Sequence, residues 1–251
     1  TATVEVTLKG NYEGTITKTF TITRADGEGS VSIEGWVYGS EPNLPTPVSS
    51  TNGISAVSYV YTGTTNAGVK YNSESAPTEA GTYTVTATFA QTRNYNETTA
   101  TADFTISKAV ATEPTIGKNL VYTGKTLSGI TGGKNCALSG VTSSINAGNY
   151  VATADLSNVN NYEWSDGTTA KKTYNWSIAK ATLKPSATAK NKVYDGTTTA
   201  SGTITLQGAV NNEKPTATAK FEFTSANVGT QTVNVTNIEL EDNWNTNYEL
   251  E

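Results

Sequence analysis

Two short motifs recur along the chain with the same spacing, and this repetition constrains the fold more than any other feature. A closing motif occurs as KTFTITRA (18–25), ADFTISKA (102–109) and YNWSIAKA (174–181). An opening motif occurs as WVYGS (36–40), LVYTGKT (120–126) and KVYDGTT (192–198). The closing isoleucines are 84 and then 72 residues apart, and so are the opening tyrosines. Two motifs that keep one spacing indicate tandem copies of a single structural unit.

A third motif, between the other two, has the pattern of a β-strand that ends at an Asn-Tyr turn. It occurs as AGTYTVTATFAQTRNY (80–95), AGNYVATADLSNVNNY (147–162) and VGTQTVNVTNIELEDNWNTNY (228–248). Apolar residues alternate in the first two copies, as in a half-buried antiparallel strand. In the third copy Gln231 stands in the position of Tyr83, and EDNWNT is inserted, so its register is less defined.

These motifs divide the chain near Ala25, Ala109 and Ala181. We expect residues 1–25 to be the last strands of a preceding module, followed by three repeats at 26–109, 110–180 and 181–251. No linker rich in Gly, Ser or Pro separates the repeats, which favours a stiff rod over flexibly tethered beads.

The composition, rich in Thr, Val, Tyr, Ala, Asn and Gly, is typical of an all-β protein. We predict that each repeat is a small antiparallel β-sandwich of the immunoglobulin-like kind, the alternative being a β-grasp-like module with a helix. The aromatic residue and the isoleucine of the closing motif are two positions apart, so they share one face of a strand. The predicted core residues are Phe104, Ile106, Trp176, Ile178, Tyr83, Val85, Tyr150 and Leu156.

Charge and residue usage exclude several functions. The net charge is −5 and no dense Lys/Arg cluster occurs, which argues against nucleic acid and anionic membranes as partners. No apolar run approaches the roughly 20 residues of a membrane span. The chain has no His and a single cysteine, Cys136, so Ser-His and Cys-His nucleophile pairs, His-based metal sites and disulfides within the chain are excluded. We expect a fragment of a longer protein whose export signal or wall anchor lies elsewhere.

Asp195, in the opening motif of the third repeat, is the most conspicuous carboxylate. Its position holds Gly39 in the first copy and Thr123 in the second. Asp-Gly is a strong turn signal, and a catalytic role would be confined to one repeat of three. We therefore interpret Asp195 as a turn residue, and the tyrosine before it as a core residue.

Exposed tryptophans would be the platform of a carbohydrate-binding array, which is the alternative function. Trp176 occupies the core position of Phe20 and Phe104 and is discounted. Trp36 shares its position with Leu120 and Lys192, which suggests an edge or surface site, and Trp164 and Trp244 lie in loops. These last three are the candidate platform.

Catalytic, metal and covalent sites have weaker support. Paired carboxylates in 155–166 or 239–251 could serve a glycosidase, but such segments also resemble solvated loops. Asp242, Asn245 and Asn247 could offer oxygen ligands to Ca²⁺, although their spacing fits no defined loop. We expect no thioester between Cys136 and a glutamine, and no isopeptide; Cys136 is better interpreted as a small buried hydrophobic residue. We therefore predict no catalytic residue, cofactor or metal.

The KVYDGTT motif and the strand that follows it in 181–251 resemble the YDG-type repeat of bacterial surface proteins. The VYG and VYTG motifs of the other two repeats, with AGTYTVTATF, AGNYVATADL and the closing FTISKA and WSIAKA, resemble the related mostly-β bacterial Ig-like repeats (YGX/MBG-like). The resemblance implies a segment of a large, repetitive, secreted or wall-attached bacterial protein of the adhesin type. We thus expect an extracellular structural stalk rather than an enzyme, with neighbouring repeats and a glycan or host ligand as partners.

The third repeat contains no counterpart of the closing strand after its Asn-Tyr, whereas residues 15–24 form a strand of that type without a module of their own. A strand edge and an apolar groove left open are costly. We therefore expect the N-terminal segment of one molecule to add to the last module of another, head to tail.

Overall fold

The computed structural model describes residues 2–251, and of Ala2 only the backbone. The chain divides into two units: one contains the chain up to Val110 with Asn158–Glu163, and the other contains Ala111–Ser157 and Trp164–Glu251. Regular structure within the described residues consists of strands and one short 3-10 helix. The all-β prediction is confirmed, and the β-grasp alternative is wrong because the described residues contain no α-helix.

The N-terminal segment is an antiparallel hairpin of two strands, β1 (Ala2–Thr7) and β2 (Thr15–Phe20). Every residue of β2 is exposed, including Phe20 at 49% of its full accessibility. Ile22, just beyond the strand, is 72% exposed. The apolar side chains at the end of this hairpin are therefore largely exposed to solvent.

The first repeat is a two-layer, sandwich-like module. Its seven strands are β3 (Ser30–Ser32), β4 (Trp36–Val37), β5 (Thr46–Val48), β6 (Val57–Thr65), β7 (Lys70–Ser73), β8 (Gly81–Phe89) and β9 (Thr98–Ser107). Five of them form one sheet in the order β4-β9-β8-β6-β7, in which only β4 and β9 are parallel. The β3–β5 pair forms the second layer, and Val31 of β3 packs on the core between them.

The core of the first repeat follows the predicted alternation along β8. Val85, Ala87 and Phe89 are all fully buried. Tyr83 lies opposite Phe104 of β9, and the two rings stack 5.6 Å apart. Trp36 stacks on the other side of Phe104 at 5.0 Å. Burial of these aromatic rings is the main stabilising term of this module.

The second repeat contains shorter strands around the same central pair. They are β10 (Ala109–Val110), β11 (Thr112–Ile116), β12 (Leu120–Val121), β13 (Leu127–Ser128), β14 (Ile130–Lys134), β15 (Cys136–Gly140), β16 (Ser143–Ser144), β17 (Gly148–Leu156), β18 (Tyr162–Glu163) and β19 (Lys172–Ala179). Four of them form a sheet in the order β12-β19-β17-β15, and β11 pairs with β14, β13 with β16, and β10 with β18.

The pair β17–β19 repeats the geometry of β8–β9. Tyr150 lies opposite Trp176, with ring centroids 4.6 Å apart. The indole lies against Gly129, where an added Cβ would come within 1.9 Å of the ring, so any larger residue there would displace Trp176. Trp176, Ile178 and Leu156 are buried as predicted, whereas Tyr150 is only half-buried because its hydroxyl group reaches the backbone oxygen of Asn146 at 2.6 Å.

The third repeat is split between two small sheets. Its strands are β20 (Ala181–Ala189), β21 (Gly202–Gln207), β22 (Ala217–Phe223), β23 (Val233–Leu240) and β24 (Tyr248–Leu250), and Trp244–Thr246 forms a 3-10 turn. One sheet has the order β21-β20-β24, and the other is the pair β22–β23. Leu183 and Tyr248 are fully buried on the first sheet, but Val233 and Val235 of β23 are only half-buried.

Candidate functional site: the junctions between repeats

The Asn-Tyr dipeptide of each repeat returns to the alanine at the boundary with the preceding segment. The alanine N–H donates to the asparagine carbonyl oxygen at 2.9 Å in all three cases. The alanine also pairs in parallel with the tyrosine in each case. The three sets are Ala25 with Asn94 and Tyr95, Ala109 with Asn161 and Tyr162, and Ala181 with Asn247 and Tyr248. The dipeptide is thus held at the entrance of its repeat, next to the preceding closing strand.

A basic residue directly before the alanine fixes the loop that carries the dipeptide. Its side chain donates to the backbone oxygen of the residue three positions before the tyrosine. Arg24 donates to Thr92 at 2.9 Å, Lys108 donates to Val159 at 2.8 Å, and Lys180 donates to Asn245. The recurring basic-Ala pair therefore positions the Asn-Tyr loop in every copy.

The first junction is where the Asn-Tyr loop of the second repeat contacts the AG turn of the first. Asn161 is 1% exposed, the most buried polar side chain of the described residues. Its Oδ1 accepts from the Ala80 N–H at 3.0 Å, and its Nδ2 donates to the Glu79 carboxylate. A buried amide with both groups satisfied specifies one arrangement of the two segments, because any shift would leave a polar group unpaired.

The second junction, where the third repeat meets the second, uses equivalent atoms. Asn247 Oδ1 accepts from the Ala147 N–H at 2.8 Å, and its Nδ2 donates to Asn146 Oδ1 at 3.1 Å. Ala147 and Ala80 are the same position of the AG motif. The same socket is therefore present twice in the chain.

The tyrosine of the opening motif packs against the tyrosine of the following Asn-Tyr loop. Tyr38 contacts Tyr162 edge to face at 5.3 Å, and Tyr122 contacts Tyr248 edge to face, also at 5.3 Å. The prediction that the opening tyrosine is a core residue holds for Tyr122, which is buried. Tyr38 is half-buried, and the prediction is wrong for Tyr194, the tyrosine before Asp195, which is 65% exposed.

The second junction has an additional carboxylate. Glu213 accepts from the hydroxyl group of Tyr122 at 2.7 Å and from that of Tyr248 at 2.6 Å. The Val210 N–H donates to the Tyr248 oxygen at 3.0 Å. Burial raises the pKa of both tyrosines to about 12, and the hydrogen bonds to Glu213 act in the same direction. The tyrosines therefore stay protonated and donate to Glu213 well above neutral pH.

Asp195 forms the turn that the sequence predicts. Its Oδ1 accepts from the backbone N–H and the hydroxyl group of Thr197, both at 2.9 Å, and Gly196 takes φ +76°. The Lys192 ammonium group donates to the same oxygen at 2.8 Å and to the backbone oxygens of Thr197 and Thr199. The bond from Lys192 and those from Thr197 lower the pKa of Asp195 to about 2. The carboxylate thus accepts its hydrogen bonds from residues of its own turn.

The tryptophan platform predicted as the alternative is not formed. Trp36 is 8% exposed, since it stacks on Phe104 inside the first repeat. Trp164 is fully buried, and its Nε1 donates to the Ala170 backbone oxygen at 2.8 Å. Trp244 is half-buried, 5.9 Å from the ring of Tyr248. The predicted exposure of Trp36 and Trp164 was wrong, because both indoles fill the interior of their repeats.

The candidate Ca²⁺ ligands and Cys136 do not form a binding or reactive site among the described residues. Asn247 is engaged in the second junction and so is unavailable beside Asp242 and Asn245. Across residues 2–251, no three His, Cys, Asp or Glu side chains are grouped as a metal site. Cys136 is half-buried rather than fully buried, with Sγ 3.8 Å from the Thr112 backbone oxygen, and burial raises its pKa. No helix among the described residues is long and apolar enough to cross a membrane.

The sequence interpretation missed the role of the Asn-Tyr dipeptide, which it treated only as the end of a strand. The available signal was that Asn-Tyr and a basic residue before alanine both recur in every copy. A turn needs neither a basic residue nor an alanine at a fixed distance, so their joint recurrence indicated a contact between segments remote in sequence.

Comparison with known families supports the resemblance for one part of the chain. The YDG domain profile matches residues 178–251. No curated protein matches the chain. The matched region begins within the closing strand β19 and contains the Lys192–Asp195 turn, the β22–β23 pair and the Asn-Tyr loop of the second junction. The third repeat is therefore a YDG-type module.

Proposed function

We propose that this chain is a stalk segment of a large, repetitive bacterial cell-surface or secreted protein, of the adhesin type. Its role is mechanical: it spaces a distal binding head from the cell. The observation that supports the proposal best is the junction itself, which uses the same backbone and side-chain contacts twice. A protein that needed only flexible tethering would have no reason to hold an asparagine side chain in two specific hydrogen bonds at each joint.

A mechanical role agrees with the hydrogen bonds that Asp195 and Glu213 make within the protein. Asp195 is held by Lys192 and Thr197, and Glu213 is held by two tyrosines, so neither carboxylate is free to act on a substrate. Thr-rich outward faces of the strands suit a surface exposed to solvent along its length. We accordingly infer that the segment is not an enzyme.

Small-angle X-ray scattering tests the stiffness on which the proposal depends. Asn161→Ala combined with Asn247→Ala removes the amide at each junction, buried for Asn161 and half-buried for Asn247, and should broaden the distance distribution, because each joint loses its specific contact. Asn245→Ala is the matched control, since this exposed neighbour contributes its backbone oxygen and not its side chain to the junction. Unchanged scattering in the double variant would contradict a stalk held stiff by these junctions.

Location is tested separately in the source bacterium. An antibody against the chain should label intact cells, and mild protease treatment of those cells should release fragments that contain the repeats. Labelling that requires permeabilised cells would contradict a surface or secreted location. Glycan-array binding by the wild-type chain would instead support a ligand-binding role.

A further inference from the structure

Parallel strand pairing in this chain is confined to the segments that lead into a repeat. Every other strand pair among residues 2–251 is antiparallel. The earlier segment of each parallel pair contains a boundary alanine or belongs to the opening motif, and the later one is an Asn-Tyr segment or a closing strand. The parallel pairs are Ala25 with Tyr95, β4 with β9, β10 with β18, β12 with β19, and β20 with β24.

The pair β4–β9 joins the opening strand of the first repeat to its closing strand. Trp36 lies opposite Ile106, and the two side chains are 8% and 1% exposed. The Tyr38 N–H extends the pairing by donating to the Ser107 backbone oxygen at 2.8 Å. The pair is short, but its side chains belong to the core, so the two strands cannot separate without opening the repeat.

The pair β12–β19 has the same arrangement in the second repeat. Leu120 lies opposite Ile178, which is 2% exposed. The Tyr122 N–H donates to the Ala179 backbone oxygen at 2.9 Å, as the Tyr38 N–H does to Ser107. The opening motif therefore supplies the same backbone donor to the closing strand in both repeats.

The boundary alanine adds a second parallel contact ahead of each opening strand. Ala25 and Ala109 each stand eleven residues before the first residue of the opening strand. Ala25 donates to Asn94 at 2.9 Å and accepts from the Asn96 N–H at 2.8 Å, and Ala109 donates to Asn161 at 2.9 Å. Tension along the chain thus reaches two parallel contacts in succession in each of these repeats.

Strand direction decides how such contacts break under tension. Tension enters a repeat through its first strand and leaves through its closing strand. When these two strands are parallel, one is pulled from its start and the other from its end, so they must slide past each other. Hydrogen bonds between strands lie across the direction of sliding, so they are strained together rather than opened one after another. Breaking several bonds in one step needs more force than breaking them singly.

We propose that β4–β9 and β12–β19 are mechanical clamps that keep the first and second repeats folded under tension. Tyr38 and Tyr122 then have a role beyond packing, because each supplies a backbone donor of its clamp. The inference rests on the mechanical role proposed above and deepens it. Its test is independent of that proposal's tests, since unfolding under force is measured on the purified chain and depends neither on cellular location nor on the junction asparagines.

Single-molecule force-clamp measurements on the full chain, held by its two ends, test the clamp of the first repeat. Opening β4–β9 should release residues 38–106, about 240 Å, and opening β12–β19 should release residues 122–178, about 200 Å, at roughly 3.5 Å per residue. Tyr38→Pro removes the ring and the N–H, whereas the control Tyr38→Ala removes the ring alone. At one force, Tyr38→Pro should unfold the first repeat about tenfold faster than Tyr38→Ala. The longer event identifies the first repeat, and the shorter event should keep its rate in both variants.

A second pulling direction makes the test independent of the folding of the proline variant. Handles attached through Ser40→Cys and Val110→Cys, in a Cys136→Ala chain, pull β4 and β9 from the same end. Both positions are exposed. The pair should then unzip, and the first repeat should unfold at a lower force than when the same chain is held by its ends.

Three results would overturn the proposal. One is an equal unfolding rate of the first repeat in Tyr38→Pro and Tyr38→Ala. Another is an equal unfolding force in the two pulling directions. The third is a wild-type first repeat that extends without a resolved event. If the first event is missing from the Tyr38→Pro chain because that variant misfolds, the comparison of pulling directions decides.

Discussion

The first and third repeats place the same type of strand in different surroundings. Val85 of β8 is fully buried, whereas Val233, the equivalent residue of β23, is half-buried. β8 is flanked on both sides, and β23 pairs with β22 alone among the described residues. The closing strand β9, which carries Phe104 and Ile106, thus covers one edge of β8 and completes the core of the first repeat.

The largest effect is expected from removal of the closing aromatic residue in the first repeat. Phe104→Ala should lower the free energy of unfolding of this repeat by about 3–5 kcal/mol, since Phe104 stacks between Trp36 and Tyr83. Hydrogen exchange of β8 amides should then approach that of β23. Thr105→Ala, at an exposed position of the same strand, is the control. Protection of β8 that persisted in the Phe104→Ala chain would remove the closing strand as the cause of the difference.

Substitution of equivalent valines in β8 and β23 measures the difference in burial between the two strands, with a smaller expected effect. Val85→Ala removes two fully buried methyl groups and should cost about 2 kcal/mol in urea unfolding. Val233→Ala should cost less than about 1 kcal/mol, because its side chain is already partly hydrated. Equal costs at the two positions would contradict the difference in burial between β8 and β23.

The sequence predicts the burial of some residues of the first repeat correctly and that of others wrongly. The sequence correctly predicted Tyr83, Val85 and Phe104 as core residues of the first repeat, because apolar spacing follows directly from strand geometry. Trp36 was misjudged because Lys192 occupies its position in the third repeat. That lysine is exposed, lies 5.6 Å over the Phe223 ring and donates its ammonium group to a turn, so its surroundings differ from those of the buried Trp36.

The junctions were harder to predict from one sequence. Asn161 and Asn247 have the composition of loop residues, and only the fold brings them to Ala80 and Ala147. Trp164 was misjudged for a related reason, since a loop position was taken to mean exposure although Ala170 accepts its indole N–H. Contacts between segments far apart in sequence are set by topology, which local patterns do not encode.

The third repeat should also differ from the first in its response to alkaline pH. Tyr248 of the third repeat is fully buried and, like Tyr122, donates a hydrogen bond to Glu213. Burial raises the pKa of both tyrosines to about 12, above the value near 10 of an unfolded chain, so the stabilisation is complete below about pH 10 and is lost as the pH rises towards 12. The free energy of unfolding, followed by Trp244 fluorescence, should fall across this range.

Glu213→Gln provides the control for this pH dependence. The hydrogen bonds to the carboxylate contribute to both raised pKa values, so in the variant the loss of stability should still begin near pH 10 but should end at lower pH and be smaller in total. Because burial is the larger cause, the shift should be partial. An identical pH dependence of the free energy of unfolding in wild type and Glu213→Gln would contradict the role of the carboxylate in raising the pKa of these tyrosines.

The smallest effect is expected at Asp195, where the first repeat has Gly39. Asn can still accept from the Thr197 N–H, because its amide oxygen replaces one carboxylate oxygen and Asx turns form with either residue. The bond from Lys192 to Asp195 loses its charge but keeps its geometry, and Lys192 retains the backbone oxygens of Thr197 and Thr199. Asp195→Asn should therefore change thermal stability at neutral pH no more than an ordinary surface substitution does.

Because Lys192 and Thr197 lower the pKa of Asp195 to about 2, the carboxylate contributes stability above its unfolded pKa near 4 and loses it as the pH falls towards 2. Melting curves of wild type and variant should accordingly converge only below about pH 2. A variant of unchanged stability that lost a hydrolytic or binding activity would instead make Asp195 a functional carboxylate, and the YDG turn more than a structural element.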